Sequence, residues 1–306
     1  MSAPAEARFE GITASLMGGL GNQLFQYAAA RSVAHRLNCP VFVDTSRLGV
    51  SLVGDTAREF ALEWLVNPMQ VVLSGRVANV SRIARRFVAK VVPITRSGIF
   101  HEAGFPYDDR VSGIRLGTTL IGYFQSWRYF DDIASSLRTE FHRKAPRSPW
   151  FDSVTHEFEN SGPCIAVHVR RGDYLRSNNP AYHGLLGPDY YKTALEVLST
   201  SGVSGRLAVF SDEPDLALEV LGDRGRDAYV VRAPQDAHPM ESIALMSRCS
   251  AVVTANSSFS WWGAWLADPA LTTVVSPAPW MANPLLDDRD LRPTNWLAVS
   301  ADFRES

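Results

Sequence analysis

The chain has 306 residues, 46% hydrophobic and 20% charged, with a formal net charge of −2. That is enough chain and apolar content for one large or two ordinary globular domains with a real core. The charge excludes an overall basic field that would draw the protein to nucleic acid.

In chain order, the opening MSAPAEARFEGITASLM lacks a basic start followed by an apolar stretch, so no signal peptide is expected. No run of about 18 apolar residues follows anywhere, so no membrane span is expected. A strand is predicted over Gly11 to Met17, and then a glycine turn. The helix after it carries Phe25, Ala29, Val33 and Leu37 as one apolar stripe, with Asn22 placed to cap its start. CPVFVD, ending in Asp44, is the next strand, completing a β-α-β unit. The turn approaches a dinucleotide fingerprint with Gly19-x-Gly21, but Leu24 occupies the third glycine position.

Residues 64–101 contain Arg76, Arg82, Arg85, Arg86, Lys90 and Arg96 and no acid. Val77, Ile83, Phe87, Val88 and Val91 are interleaved. The segment reads either as a surface for an anionic membrane or phosphate-linked lipid, or as a solvated helix face. Three prolines and mixed charge at 143–163 place a domain boundary there, giving domains 1–150 and 151–306.

The second half alternates strand (CIAVHV), helix (DYYKTALEVLST), strand (RLAVF), helix (EPDLALEVLG), strand (YVVRA), helix (MESIALMSRC), strand (SAVVTA), helix (SFSWWGAWLAD) and strand (TTVVSP). This pattern predicts a parallel sheet with helices on both faces, whose ligands sit at the carboxyl ends of the strands. Cys39, Cys164 and Cys249 are far apart, form no C-x-x-C pair and read as separate buried thiols of a reducing compartment.

The strand ends carry the chemistry. CIAVHV runs into Arg170, Arg171, Gly172 and Asp173, RLAVF into Asp212 and Glu213, and SAVVTA into Asn256, Ser257, Ser258 and Phe259. Two guanidinium groups can hold a diphosphate by forked hydrogen bonds. A helix start offers amides and a positive dipole end to an anion. A carboxylate can accept from adjacent N–H groups of a base such as guanine. Plain structural readings stand beside these. Arg-Arg-Gly-Asp also fits an ion-paired turn, the serines a helix cap, and Trp261, Trp262 and Trp265 a core stripe. His168, between Val167 and Val169, also fits a core histidine.

GGLGNQLFQYAAA (18–30), HVRRGDY (168–174), FSDEPD (210–215) and NSSFSWWGAWLA (256–267), in that order, resemble the α-1,2-fucosyltransferases of glycosyltransferase family 11, from about residue 12 to Trp296. The resemblance implies an α/β enzyme of GT-B type, with two Rossmann-like domains facing a cleft. The N-terminal domain would be the acceptor side and the C-terminal domain the donor side. It further implies inverting transfer of fucose from GDP-β-L-fucose to the 2-hydroxyl of a terminal galactose, on a free or lipid-linked oligosaccharide, with no metal or other cofactor. Arg170 corresponds to the arginine on the β-phosphate, supported by Arg171. His168 would lie near the guanine or ribose, and Asp212 or Glu213 would accept from guanine. Asn256, Ser257, Ser258 and Phe259 would form the phosphate loop, while Asn22 and Gln23 approach the diphosphate or fucose. Asp173 is the expected catalytic base, His183 a second candidate on the acceptor side. Glu241 stands where the family has an acid directly ahead of the helix.

A cytoplasmic enzyme follows, at the inner membrane face through residues 76–96. Two other readings remain: a nicotinamide oxidoreductase built on the first β-α-β unit, against which Leu24 argues, and a non-catalytic sugar-nucleotide-binding module.

Overall fold

The computed structural model describes residues 11–49, 58–74, 91–92, 98–171, 184–301 and 303–304. The chain divides into two compact units, the first ending at Leu137 and the second continuing from Arg138.

The first unit begins with β1 (Ile12–Ser15), α1 (Leu20–Arg36) and β2 (Val41–Asp44), the expected β-α-β unit. Helix α1 is buried on nearly every side through Ala34, not along one stripe. Its N-cap is Gly19, so Asn22 lies inside the first turn and does not cap it. Leu24 is fully buried where the dinucleotide fingerprint needs a glycine. Four short strands complete the sheet: β3 (Val71–Ser74), β4 (Val91–Val92), β5 (Ile99–His101) and β6 (Thr119–Ile121). Every pairing is parallel, in the order β4-β3-β2-β1-β6-β5.

The stretch where the domain boundary is expected is mostly helical: α2 (Ala134–Lys144) and α3 (Pro149–Asn160). Pro149 opens α3 instead of breaking it. Proline suits the first helical turn, where its missing N–H has no partner to lose, and the Ser148 hydroxyl caps the helix by accepting from Phe151 N at 3.3 Å. The division therefore falls ahead of position 150. Past Leu137, α2 packs with the second unit: Phe141 lies on Trp262 at 5.6 Å, Arg138 donates to Trp265 O at 2.9 Å, and His142 Nε2 is 2.9 Å from Leu266 O.

The second unit continues with β7 (Cys164–Val169), β8 (Leu185–Leu186), α4 (Pro188–Thr200), β9 (Arg206–Ser211), α5 (Pro214–Leu221), β10 (Tyr229–Val230) and α6 (Pro239–Met246). Then come β11 (Ala251–Val253), α7 (Ser258–Leu266), β12 (Thr273–Ala278), β13 (Leu297–Ser300) and β14 (Phe303–Arg304). The main sheet is parallel in the order β10-β9-β7-β11-β12-β13, the doubly wound Rossmann order with its reversal between β7 and β11. β14 pairs antiparallel with β8 as a separate ribbon.

Val167, Val209, Val253 and Val275 form the centre of the core on one face of this sheet, each contributing about 1.5–3 kcal/mol of burial. Trp261 and Trp262 are fully buried and Trp265 nearly so, in mutual ring contact, which makes them core. The cysteines depart from expectation. Cys164 and Cys249 meet with their sulfurs 3.3 Å apart, because β7 and β11 are neighbours. Both are reduced, as is Cys39.

Candidate functional site

The reversal between β7 and β11 is where an open α/β sheet presents ligands, because the crossovers leave a crevice there. Three strand ends meet at it. Arg170 and Arg171 follow β7, Asp212 and Glu213 follow β9, and Asn256 and Ser257 follow β11. Asp212 holds the arginines in place. One carboxylate oxygen accepts from Arg171 N at 2.9 Å, and the other lies 3.5 Å from Arg170 Nε. Both oxygens are thus engaged inside the protein. Arg171 is buried and donates from Nη2 to Leu186 O at 2.9 Å, which makes it a brace for the loop. Glu213 is the N-cap residue of α5, and its amide donates to Ser211 Oγ at 3.0 Å.

His168 is 3% exposed and lies against Phe259, with ring centroids 5.7 Å apart. Burial pushes its pKa down to about 3, and the Arg170 charge adds to this against an opposing effect of Asp212. The imidazole is neutral, and among the described residues its buried Nδ1 has no hydrogen-bond partner. Ser257 is the N-cap of α7, accepting from Phe259 N at 3.3 Å, and Ser258 is the first helical residue. Asn256 is buried and donates from Nδ2 to Gly184 O at 3.1 Å. Asp173 and His183 lie outside the described residues, as does nearly all of the basic segment 76–96.

On the first unit, Gln23 is fully buried. Its Nε2 donates to Gly18 O at 2.9 Å and to Glu59 O at 2.8 Å, while its Oε1 accepts from Ala61 N at 3.0 Å. Both amide hydrogens are used on the backbone, so Gln23 pins the glycine turn to residues 59–61 and does not reach toward a ligand. Asn22 is half-buried, and its Oδ1 accepts from Gln125 Nε2 at 2.7 Å. Glu241 is likewise structural: its buried Oε2 accepts from Ser148 Oγ at 2.5 Å.

Sequence reasoning missed one group on this unit. Glu102, just past β5, accepts at Oε2 from the amides of Tyr123 and Phe124, both at 2.8 Å, while its buried Oε1 has no hydrogen-bond partner among the described residues. Burial raises its pKa to about 7 against the pull of the Phe124 amide, the neighbouring Tyr129 hydroxyl and the Tyr123 amide. Phe124 is fully buried at φ 53, a left-handed conformation that costs a non-glycine residue about 1–3 kcal/mol. No sequence pattern announces such a residue.

The profile of glycosyl transferase family 11 matches residues 109–300. This chain belongs to glycosyl transferase family 11. It is 27% identical to the alpha-1,2-colitosyltransferase of Escherichia coli, covering 94% of this chain and 98% of the relative. It is also 27% identical to the O-antigen biosynthesis glycosyltransferase WbnK of Escherichia coli, over 87% and 94% respectively. The galactoside 2-alpha-L-fucosyltransferase SEC1 of Bos taurus is 25% identical over 48% of this chain and 42% of its own length.

The family 11 glycosyltransferase described here carries its cationic Arg170, the N-terminal turn of α7 and the neutral His168 at one sheet edge. That set can bind an anion and stabilise charge developing on it. Among the described residues no group of three or more His, Cys, Asp or Glu is arranged to hold a metal ion, and no helix is long and apolar enough to cross a membrane.

Proposed function

We propose that this glycosyltransferase moves L-fucose from GDP-β-L-fucose to the 2-hydroxyl of a terminal galactose, with inversion at the anomeric carbon. The observation that carries the reading is the meeting of Arg170, His168 and the start of α7 at the sheet reversal of the second unit. The name of the bovine relative supports the acceptor and linkage. In this reading the bond to fucose breaks in line with attack, and negative charge builds on the departing GDP. Arg170 and the amides of Ser257 and Ser258 stabilise that charge, and no metal is invoked. The Nδ1 of His168 accepts from the nucleoside. Glu213 takes the guanine N–H groups, since Asp212 is committed to the arginine loop. Asp173 removes the galactose proton, with His183 as the alternative base.

The acceptor is a free or lipid-linked oligosaccharide, and in the second case the basic 76–96 segment would meet the anionic membrane. Co-sedimentation with anionic vesicles that salt abolishes is the expected sign of that contact, and no binding at low salt would refute it. The colitosyltransferase relative favours colitose as a second donor sugar, so both GDP-sugars belong in the assay.

The test is GDP release from EDTA-treated protein with a panel of galactosides, followed by NMR assignment of the product linkage. Acceptor-dependent release with an α-1,2 product is expected. Donor binding without transfer to any acceptor would favour a binding module. Turnover with GDP-colitose alone would replace the donor.

A further inference from the structure

We propose that the carboxyl edge of the first unit's sheet carries a pyranose-binding subsite, with the Tyr123 ring as its platform and the Asn22–Gln125 amide pair as its hydroxyl reader. Its role as the acceptor subsite rests on the glycosyl-transfer reading above, and the subsite lies wholly on this unit.

The loop after β6 is built to turn one aromatic outward and the next inward. At Gly122 a Cβ would come within 2.5 Å of Glu102 Cβ and 2.6 Å of its Oε2, so only glycine lets the loop lie against that carboxyl. The single oxygen Oε2 then holds two successive amides, those of Tyr123 and Phe124. Phe124 goes into the core at φ 53, edge-on to Tyr129 with centroids 5.2 Å apart. Tyr123 stays 39% exposed. A left-handed backbone at a buried phenylalanine is retained where its surroundings over-determine it, and such positions cluster at ligand sites.

Neighbouring strands supply the polar part. β1 and β6 pair side by side, so α1, which follows β1, starts beside the loop that follows β6. The Gln125–Asn22 bond uses the Asn22 carbonyl and one Gln125 hydrogen. By valence the pair also carries an amide donor on Asn22 and an acceptor on Gln125, the complement of a sugar hydroxyl that donates and accepts at once. An amphipathic ring beside a few placed amides suits a pyranose, whose C–H face packs on the ring. The nearby cations are already engaged, which disfavours an anion: Arg110 is ion-paired to Asp108, and Arg128 stacks on Tyr107.

The experiment is saturation-transfer NMR with methyl β-galactoside and lactose on the full chain and on Tyr123→Ala, Gln125→Ala and Tyr123→Trp. GDP-fucose affinity and thermal midpoint are measured on the same samples. We expect galactoside binding roughly tenfold weaker or more in Tyr123→Ala, weakened in Gln125→Ala and kept in Tyr123→Trp, with GDP-fucose affinity and midpoint unchanged. Undiminished galactoside binding by Tyr123→Ala, or no binding by the unmutated chain, would overturn the subsite. Failure of the unmutated chain to bind GDP-fucose would instead remove the donor reading, and the galactoside arm would still decide this one.

Discussion

Asp212 holds Arg170 from the neighbouring strand, its Oδ2 lying 3.5 Å from the guanidinium Nε. Its second oxygen takes the Arg171 amide. One carboxylate from β9 thus sets the arginine loop of β7, across two strands in register from Cys164 to Val169. Asp212→Asn keeps an oxygen for the Arg171 amide and loses the charge facing Arg170. It should weaken GDP and ADP by the same factor, on the order of tenfold. A collapse of the GDP-over-ADP preference would return Asp212 to the guanine.

Arg170→Ala should reduce turnover by about 10²–10³, the cost of removing one donor aimed at developing charge, while GDP affinity falls less. Single-turnover GDP release with acceptor present reads this directly. Near-normal rates would move the charge-stabilising role elsewhere.

Gln23→Ala strips three hydrogen bonds from a fully buried site and leaves backbone groups of Gly18, Glu59 and Ala61 without them. A loss of about 2–4 kcal/mol in urea unfolding is expected, with GDP affinity of the folded protein unaltered. Unchanged stability would contradict the pinning role.

The pKa of Glu102, raised to about 7 in the folded chain from 4.5, makes its protonated form the favoured one in the fold. The stabilisation is complete below about pH 4.5 and is lost as pH rises through about 7, up to about 3 kcal/mol. Glu102→Gln stays neutral, so its thermal midpoint should overtake that of the unmutated protein between pH 5 and 8. Parallel midpoints across that range would refute the shift.

His168 works in the other direction. Its pKa near 3 lies below the ordinary 6.5, so the unfolded chain takes up a proton that the folded chain refuses. Stability is present above pH 6.5 and drains away as pH falls toward 3, by an amount on the order of a few kcal/mol. His168→Gln should flatten that acid limb in a pH series of urea midpoints. An unchanged limb would place the acid sensitivity in other groups.

The second sheet was legible because parallel strands buried on both faces are continuous apolar runs, and CIAVHV coincides with β7 residue for residue. The exposed, four-residue β13 offered no such run. In the site, Arg170 and Asp212 could be placed at the sheet edge from strand order alone. The commitment of Asp212 to the arginine loop could not, because it depends on side-chain distances across two strands. Pro149 was read as punctuation when it is a helix's first residue. Gln23 belongs to a glycine-turn motif, and the sequence does not distinguish a polar side chain facing a ligand from one facing the backbone. The pairing of Cys164 with Cys249, 85 positions apart in sequence, follows from the β7–β11 adjacency alone.

The ribbon of β8 and β14 gives Phe303 and Arg304 a duty. Position 184 requires glycine twice over: its φ is 73, and a side chain there would strike the Phe303 ring and Ala282. From the other side Asn256 grips its carbonyl, and Arg171 grips that of Leu186. β14 is therefore part of the frame that aims the arginine pair. Trimming the chain before Phe303, or fusing a bulky affinity handle there, would loosen that frame and blunt nucleotide binding without touching a residue that meets the nucleotide.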